Sequence, residues 1–237
     1  VSNEEHRVRV LQLGENKSKV FNCGLLGYEN LCKIKLIGKE EVEKKLKINF
    51  DKKTIIVSYH SVTTVSRIEN ILQFKQVLDA LNLYKKYNII FTSPNIDPGN
   101  TDILKMIKKF IVKNKNSYFF KSLGQKLFFS VVKISDIFIG NSSSGILEVP
   151  FLEIPVLNIG NRQKGRFQFI KVFESIPQKK AIINHIDNIL KKKIKKNKLK
   201  LKFKKNASSL IAKNIIKNLK NKKFIYLKNK IFYDLNF

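Results

Sequence analysis

Between Asp136 and Arg166 the chain reads DIFIGNSSSGILEVPFLEIPVLNIGNRQKGR, a stretch that concentrates groups able to hold an anion. A short apolar strand over Asp136–Gly140 is predicted to run into a turn of small residues, Asn141, Ser142, Ser143, Ser144 and Gly145. An apolar helical turn carrying Glu148 follows, then a second strand over Pro155–Gly160 and a polar loop bearing Arg162 and Arg166. A strand that passes through such a turn into a helix aims several backbone N–H groups at one point, and the helix N-terminus adds partial positive charge there. Serine hydroxyls supply further donors, and two arginines on the next loop could grip the same anion in bidentate fashion. The chemistry predicted is phosphate binding. A nucleophilic serine on a hydrolase elbow is excluded by spacing, because that turn needs a glycine two residues to either side of the serine. Gly140 and Gly145 flank no serine in that way.

Elements that could position this turn alternate along the chain. A helix capped by Ser2, with Glu5 completing a capping box, is expected to end at Gly14, followed by a short strand over Val20–Asn22. Further helices are predicted over Lys39–Leu46, Val65–Lys85, Asp102–Val112 and Leu127–Ile134, with strands over Lys53–Tyr59, Asn88–Thr92 and Ser117–Phe120. KTIIVSY at 53–59 is a continuous apolar run of the kind buried on both faces of a parallel sheet. After Arg166, helices are expected over Gln178–Lys193 and Asn206–Leu219. This order predicts an α/β domain with a Rossmann-like parallel sheet, in which ligands lie beyond the carboxyl ends of the strands. His60, Ser93–Asn95 and Asn141–Gly145 each follow a predicted strand, so three separate loops converge on one edge. His6 and His185 fall on predicted helix surfaces and are read as bystanders.

Composition narrows the classes. A chain of 237 residues that is 43% hydrophobic can bury a core and is not disordered. No apolar run reaches the length of a membrane span, and the polar opening VSNEE has no signal-peptide pattern, so a cytoplasmic protein with no membrane partner is expected. Cys23 and Cys32 have no third partner and suggest neither a zinc site nor a disulfide framework. The net charge of +29 raises the possibility of a polyanion partner. Its excess lies in lysine, as in KKKIKKNKLKLKFKK at 191–205 and KNLKNKK at 217–223, without tryptophan or an RNA-binding aromatic signature. It is read as a solvated lysine-rich surface, with no nucleic acid partner, and 191–205 as a surface connection.

Four further motifs accompany the Asp136–Arg166 stretch in a fixed order: LQLGENKSKVFNCG at 11–24, VSYHSVT at 57–63, FTSPNIDPGN at 91–100 and SLGQ at 122–125. Together they resemble the C-terminal half of the UDP-N-acetylglucosamine 2-epimerases, in particular the hydrolysing branch that feeds sialic and legionaminic acid synthesis. The resemblance covers roughly Val1 to Arg166. It implies one half of a glycosyltransferase-B-type two-domain fold: residues 1–27 closing an N-terminal domain, 28–205 forming the nucleotide-binding domain, and 206–237 crossing back. It implies a UDP-2-acetamido sugar as substrate, a homodimer, and no metal or cofactor. His60 and Arg162 are the catalytic residues it suggests, both at the diphosphate. It assigns Asn141, Ser142, Ser143 and Gly145 to the diphosphate turn and Glu148 to the ribose hydroxyls. Asn95 falls near uridine and ribose, Ser122 and Gly124 in the loop that holds uracil, and Arg166 in a supporting place. The acid–base residues of the family belong to the N-terminal domain, so the 237 residues alone are expected to bind UDP without turnover. The alternatives are a UDP-sugar-binding half-protein, a glycosyltransferase of the same fold, and a polyanion-binding basic protein.

Overall fold

The computed structural model of the protein describes residues 1–166, 172–191, 204, 206–220 and 234. Its helices are α1 (Glu4–Gln12), α2 (Leu26–Lys33), α3 (Lys39–Leu46), α4 (Arg67–Leu81), α5 (Asn100–Lys113), α6 (Gly124–Ile134), α7 (Ser143–Leu147), α8 (Lys179–Lys191) and α9 (Ala207–Lys220). Its strands are β1 (Thr54–Ser58), β2 (Asn88–Thr92), β3 (Ser117–Phe120), β4 (Ile137–Gly140), β5 (Val156–Ile159) and β6 (Phe173–Ser175). Two units make up the chain: Val1–Ile34 with the described part of Lys200–Phe237, and Lys35–Leu199. Of the lysine-rich segment 191–205 only Lys191 and Lys204 are described, so its expected role as a surface connection lies outside the described residues, as do 192–193 of the expected helix and 221–223 of the second lysine run.

The larger unit is built on one parallel sheet in the order β3-β2-β1-β4-β5-β6. Strands β1, β4 and β5 are buried along their whole length, the consequence of apolar residues on both faces. On one face Ile55, Val57, Ile89, Phe91, Ile137, Ile139 and Leu157 meet Phe74 and Val77 of α4, Ile103 and Ile107 of α5, and Ile182 and Ile186 of α8 in a single core. On the other, Phe128 of α6 packs edge-on to Phe138, and Gly145 of α7 lies against Phe138 and Val156. From β1 the strands step outward to β2 and β3; from β4 they step the opposite way to β5 and β6. That reversal leaves a crevice at the carboxyl ends of β1 and β4, where open α/β sheets take their ligands.

The two central strands come unusually close at their ends. Gly140 has φ +138°, and a Cβ there would stand 2.0 Å from the Ser58 carbonyl oxygen. Only glycine allows β4 to close on β1 at this point. The next amide, Asn141 N–H, donates to that same oxygen at 3.2 Å.

In the smaller unit α2 and α9 contact each other. Glu29 of α2 is 3% exposed and accepts from the Ser208 amide and hydroxyl, both at 2.7 Å, thereby capping the first turn of α9 from another helix. The Lys33 ammonium first, and the Ser208 donors next, hold the Glu29 carboxyl down to about 2. Asn214 Nδ2 reaches Cys23 Sγ at 3.7 Å and Lys204 Nζ the Asn22 carbonyl at 2.8 Å.

Two expectations for this unit are corrected. Residues 20–22 form no strand: Cys23 N–H donates to the Val1 carbonyl and the Val1 amino group to the Phe21 carbonyl, and no ladder extends from those two bonds. The cap of α1 is Asn3, whose side chain accepts from His6 N–H at 2.7 Å, because the helix begins one residue later than the Ser2–Glu5 box requires. Ser2 Oγ instead lies 2.9 Å from His6 Nδ1. Helix α2 and strand β6 had no counterpart in the sequence reading, and α6 begins at Gly124, earlier than Leu127.

Candidate functional site

A cavity of about 430 Å³ opens at the carboxyl ends of the strands, within the usual range for small-molecule sites. Each wall comes from a different strand end: Ser58 and His60 at the end of β1, Thr92, Ser93 and Asn95 at that of β2, Lys121–Gln125 after β3, Ser142–Ser144 after β4 and Arg162 after β5, with Phe128 of α6 beside them. Loops separated by a hundred residues of sequence thus meet because parallel crossovers return every strand in the same direction.

His60 is 7% exposed and held by three hydrogen bonds. Its N–H donates to Asn141 Oδ1 at 2.7 Å, and its carbonyl accepts from Asn141 Nδ2 at 2.8 Å. The Asn95 backbone N–H donates to Nδ1 of the ring at 3.0 Å. Nδ1 is therefore an acceptor, and the neutral ring carries its proton on Nε2. Burial, and then the Arg162 charge, push the imidazole down to about 4, with Asp97 pulling weakly the other way. The ring is a neutral donor at physiological pH.

Arg162 is the cationic counterpart. Its Nη1 donates to the Asn141 carbonyl at 3.2 Å, its Nη2 stands 3.8 Å from Asp97 Oδ2, and its side chain is 20% exposed. Gln163, 1% exposed, donates from Nε2 to the same carbonyl at 2.6 Å. Ser142 enters α7 with an extended backbone and makes no side-chain bond back to it, so the turn's first amides are not spent on a cap. One cavity thus holds a neutral N–H, a guanidinium and a turn of hydroxyls and amides, a donor set suited to an oxyanion of a diphosphate.

Of the residues singled out from sequence, His60, Asn95, Ser122, Gly124, Ser142, Ser143 and Arg162 line the cavity. Four stand behind or beside it. Asn141 is wholly buried beneath His60, and Gly145 lets α7 approach Phe138. Glu148 closes α7, with Oε2 buried and unpaired and a carboxyl raised by burial, against which the Ser144 hydrogen bond works. Arg166 is exposed, and its charge acts on Arg162. Sequence reasoning missed Lys121, Phe128, Asp97, Gln163 and Asn70. Lys121 follows β3 directly, so the strand-end rule that singled out His60 would have found it. Asn70 of α4 pins the 62–66 loop, accepting from Val62 N–H at 2.7 Å and donating to the Val62 and Ser66 carbonyls, a role visible only once α4 lies over that loop.

Residues 1–219 match the family model described as UDP-N-acetylglucosamine 2-epimerase. The chain is 36% identical over 177 residues, 74% of its length and 46% of the relative's, to a GDP/UDP-N,N'-diacetylbacillosamine 2-epimerase (hydrolyzing) of Campylobacter jejuni. It is 35% identical over 241 residues, 99% of its length and 59% of the relative's, to the polysialic acid biosynthesis protein P7 of Escherichia coli. It spans about half the length of these relatives. Among solved structures, S. aureus MnaA with UDP superposes over 98% of this chain and 62% of that one, with a TM-score of 0.66 at 15% identity. The fold is that of the glycosyltransferase-B-type 2-epimerases.

Proposed function

Because the chain belongs to the UDP-N-acetylglucosamine 2-epimerase family, we propose that its cavity takes the UDP part of a UDP-2-acetamido sugar and stabilises UDP as it departs. In the hydrolysing reaction of the whole protein, a base removes the C2 proton while the C1–O bond to UDP breaks, giving a glycal. Water then adds across the new double bond, hydroxyl to C1 and proton to the other face of C2, releasing the free 2-epimer, such as N-acetylmannosamine. Charge develops on the β-phosphate as the bond breaks. The His60 Nε2–H, the Arg162 guanidinium and the Ser142–Ser143 turn are donors fixed before that moment, which is how a site lowers such a barrier. The observation that carries this reading is the Asn95 N–H on His60 Nδ1, since it keeps the proton of the neutral ring on Nε2 and so makes that nitrogen a donor. The hydrolysing outcome, in place of a UDP-linked product, is supported by the Campylobacter relative, whose name carries it.

A second reading concerns the 237 residues by themselves. No carboxylate lines the described cavity, and the basic nitrogen of His60, Nδ1, already accepts from the Asn95 N–H. The chain alone is a UDP-binding body without turnover. Calorimetric titration with UDP and a chromatographic assay for N-acetylmannosamine test both statements: UDP binds and no free sugar forms. Absence of UDP binding overturns the nucleotide assignment, and formation of N-acetylmannosamine by the chain alone overturns the second reading.

A further inference from the structure

We propose that Asn141 is a positioning residue: it touches no nucleotide, and it sets His60 and Arg162 for the diphosphate by tying the loop after β1 to the loop after β4. The inference rests on the nucleotide reading above and adds to it the means by which two separate loops are held in register.

Every polar atom of Asn141 is already committed. Its backbone N–H goes to the Ser58 carbonyl, its Oδ1 to His60 N–H and its Nδ2 to the His60 carbonyl. Its own carbonyl accepts from both Arg162 and Gln163. The residue is 0% exposed, so no face is left for a ligand. A side-chain amide that pairs with both polar groups of one residue's main chain mimics a strand neighbour, and it extends the β1–β4 pairing past the ends of both strands. Such a link is needed here because β1 and β4 meet at the reversal of strand order, where consecutive loops diverge. The shared carbonyl then brings the guanidinium to the same place. Gln163 completes the arrangement: its Nε2 is bound while its Oε1 is buried without a partner, so it is kept for that one bond at the cost of an unpaired acceptor. The ionisable groups facing this cluster are His60, Arg162 and Asp97, with Arg166 acting on Arg162.

A double-mutant cycle on the full chain, read by UDP affinity, separates positioning from contact. His60→Ala and Asn141→Ala are each expected to weaken UDP by about tenfold to a hundredfold, the worth of a charge-assisted hydrogen bond. The double variant is expected to be no weaker than about threefold beyond His60→Ala alone, since the Asn141 side chain acts through His60 while the backbone carbonyl that holds Arg162 survives the substitution. Effects that multiply fully would overturn the proposal, because they would mean that Asn141 meets the nucleotide itself. Should Asn141→Ala fail to fold, the nearly isosteric Asn141→Asp enters the same cycle under the same criterion. Histidine 15N spectra of the protein without ligand give an independent reading. His60 is expected as the Nε2–H tautomer in the unsubstituted protein and as a mixture of tautomers in the Asn141 variant. An unchanged His60 spectrum in that variant sinks the proposal even if UDP affinity falls. If the unsubstituted protein binds no UDP but the tautomer depends on Asn141, the nucleotide reading fails and the positioning role stands.

Discussion

At position 60 a histidine that would titrate near 6.5 in water is kept neutral to about pH 4, mainly by its burial. The sign of the consequence follows from the lowered value. Above pH 6.5 neither the folded nor the unfolded chain protonates this ring. Between 6.5 and 4 only the unfolded chain does, so stability drains away across that window as pH falls. The full effect is about 3 kcal/mol. Urea midpoints followed from pH 7.5 to 4 should show this loss, and His60→Gln should flatten it; equal slopes for both proteins would mean that the ring is solvated. The residue was legible in the sequence because it closes an apolar run and opens a loop. Asn95 and Asn141 were singled out with it, but not their bonds to it. Asn141 reads as part of the diphosphate turn, and nothing in NRQKG distinguishes Gln163, until the loop after β5 folds back on the Asn141 carbonyl.

Strands β1 and β4 and the turn beyond them were the elements most readily foreseen, since IIVS and IFIG are apolar without interruption and each ends in a change of character. Elements without such a pattern escaped. Helix α2, LGYENLCK, carries an interior glycine and too few apolar residues to mark a face, and β6 has only three residues and no period. The reverse error, a strand over 20–22, arose because the β-prone residues there find only the main chain of Val1 to pair with and form no ladder, and pairing rather than propensity makes a strand. The β1–β4 contact carries its own prediction. Gly140→Ala would set a methyl carbon 2.0 Å from a backbone oxygen at a φ that side chains avoid. A loss of about 3 kcal/mol or more, with UDP binding lost alongside, is expected from clash and strain together. Thermal melting within a degree or two of the unsubstituted protein would show that the strands can separate there without cost.

On the scale of the whole molecule, the net charge of +29 sets a field that no single pocket residue explains. UDP is an anion, so its arrival should be steered: raising the salt from about 20 to 300 mM is expected to slow association about tenfold while dissociation changes less. Stopped-flow measurement of both rates checks this. Binding of RNA that UDP fails to displace would instead favour a polyanion partner for the lysines. The smaller unit has another consequence, one of timing. Its α2 is made before the sheet, yet the Ser208 amide that Glu29 receives, and the Asn214 that meets Cys23, are made only after the sheet's strands. A ribosome therefore releases the sheet ready to fold while α2 still lacks its mate. A helix translated ahead of the sheet finds its partner only behind it.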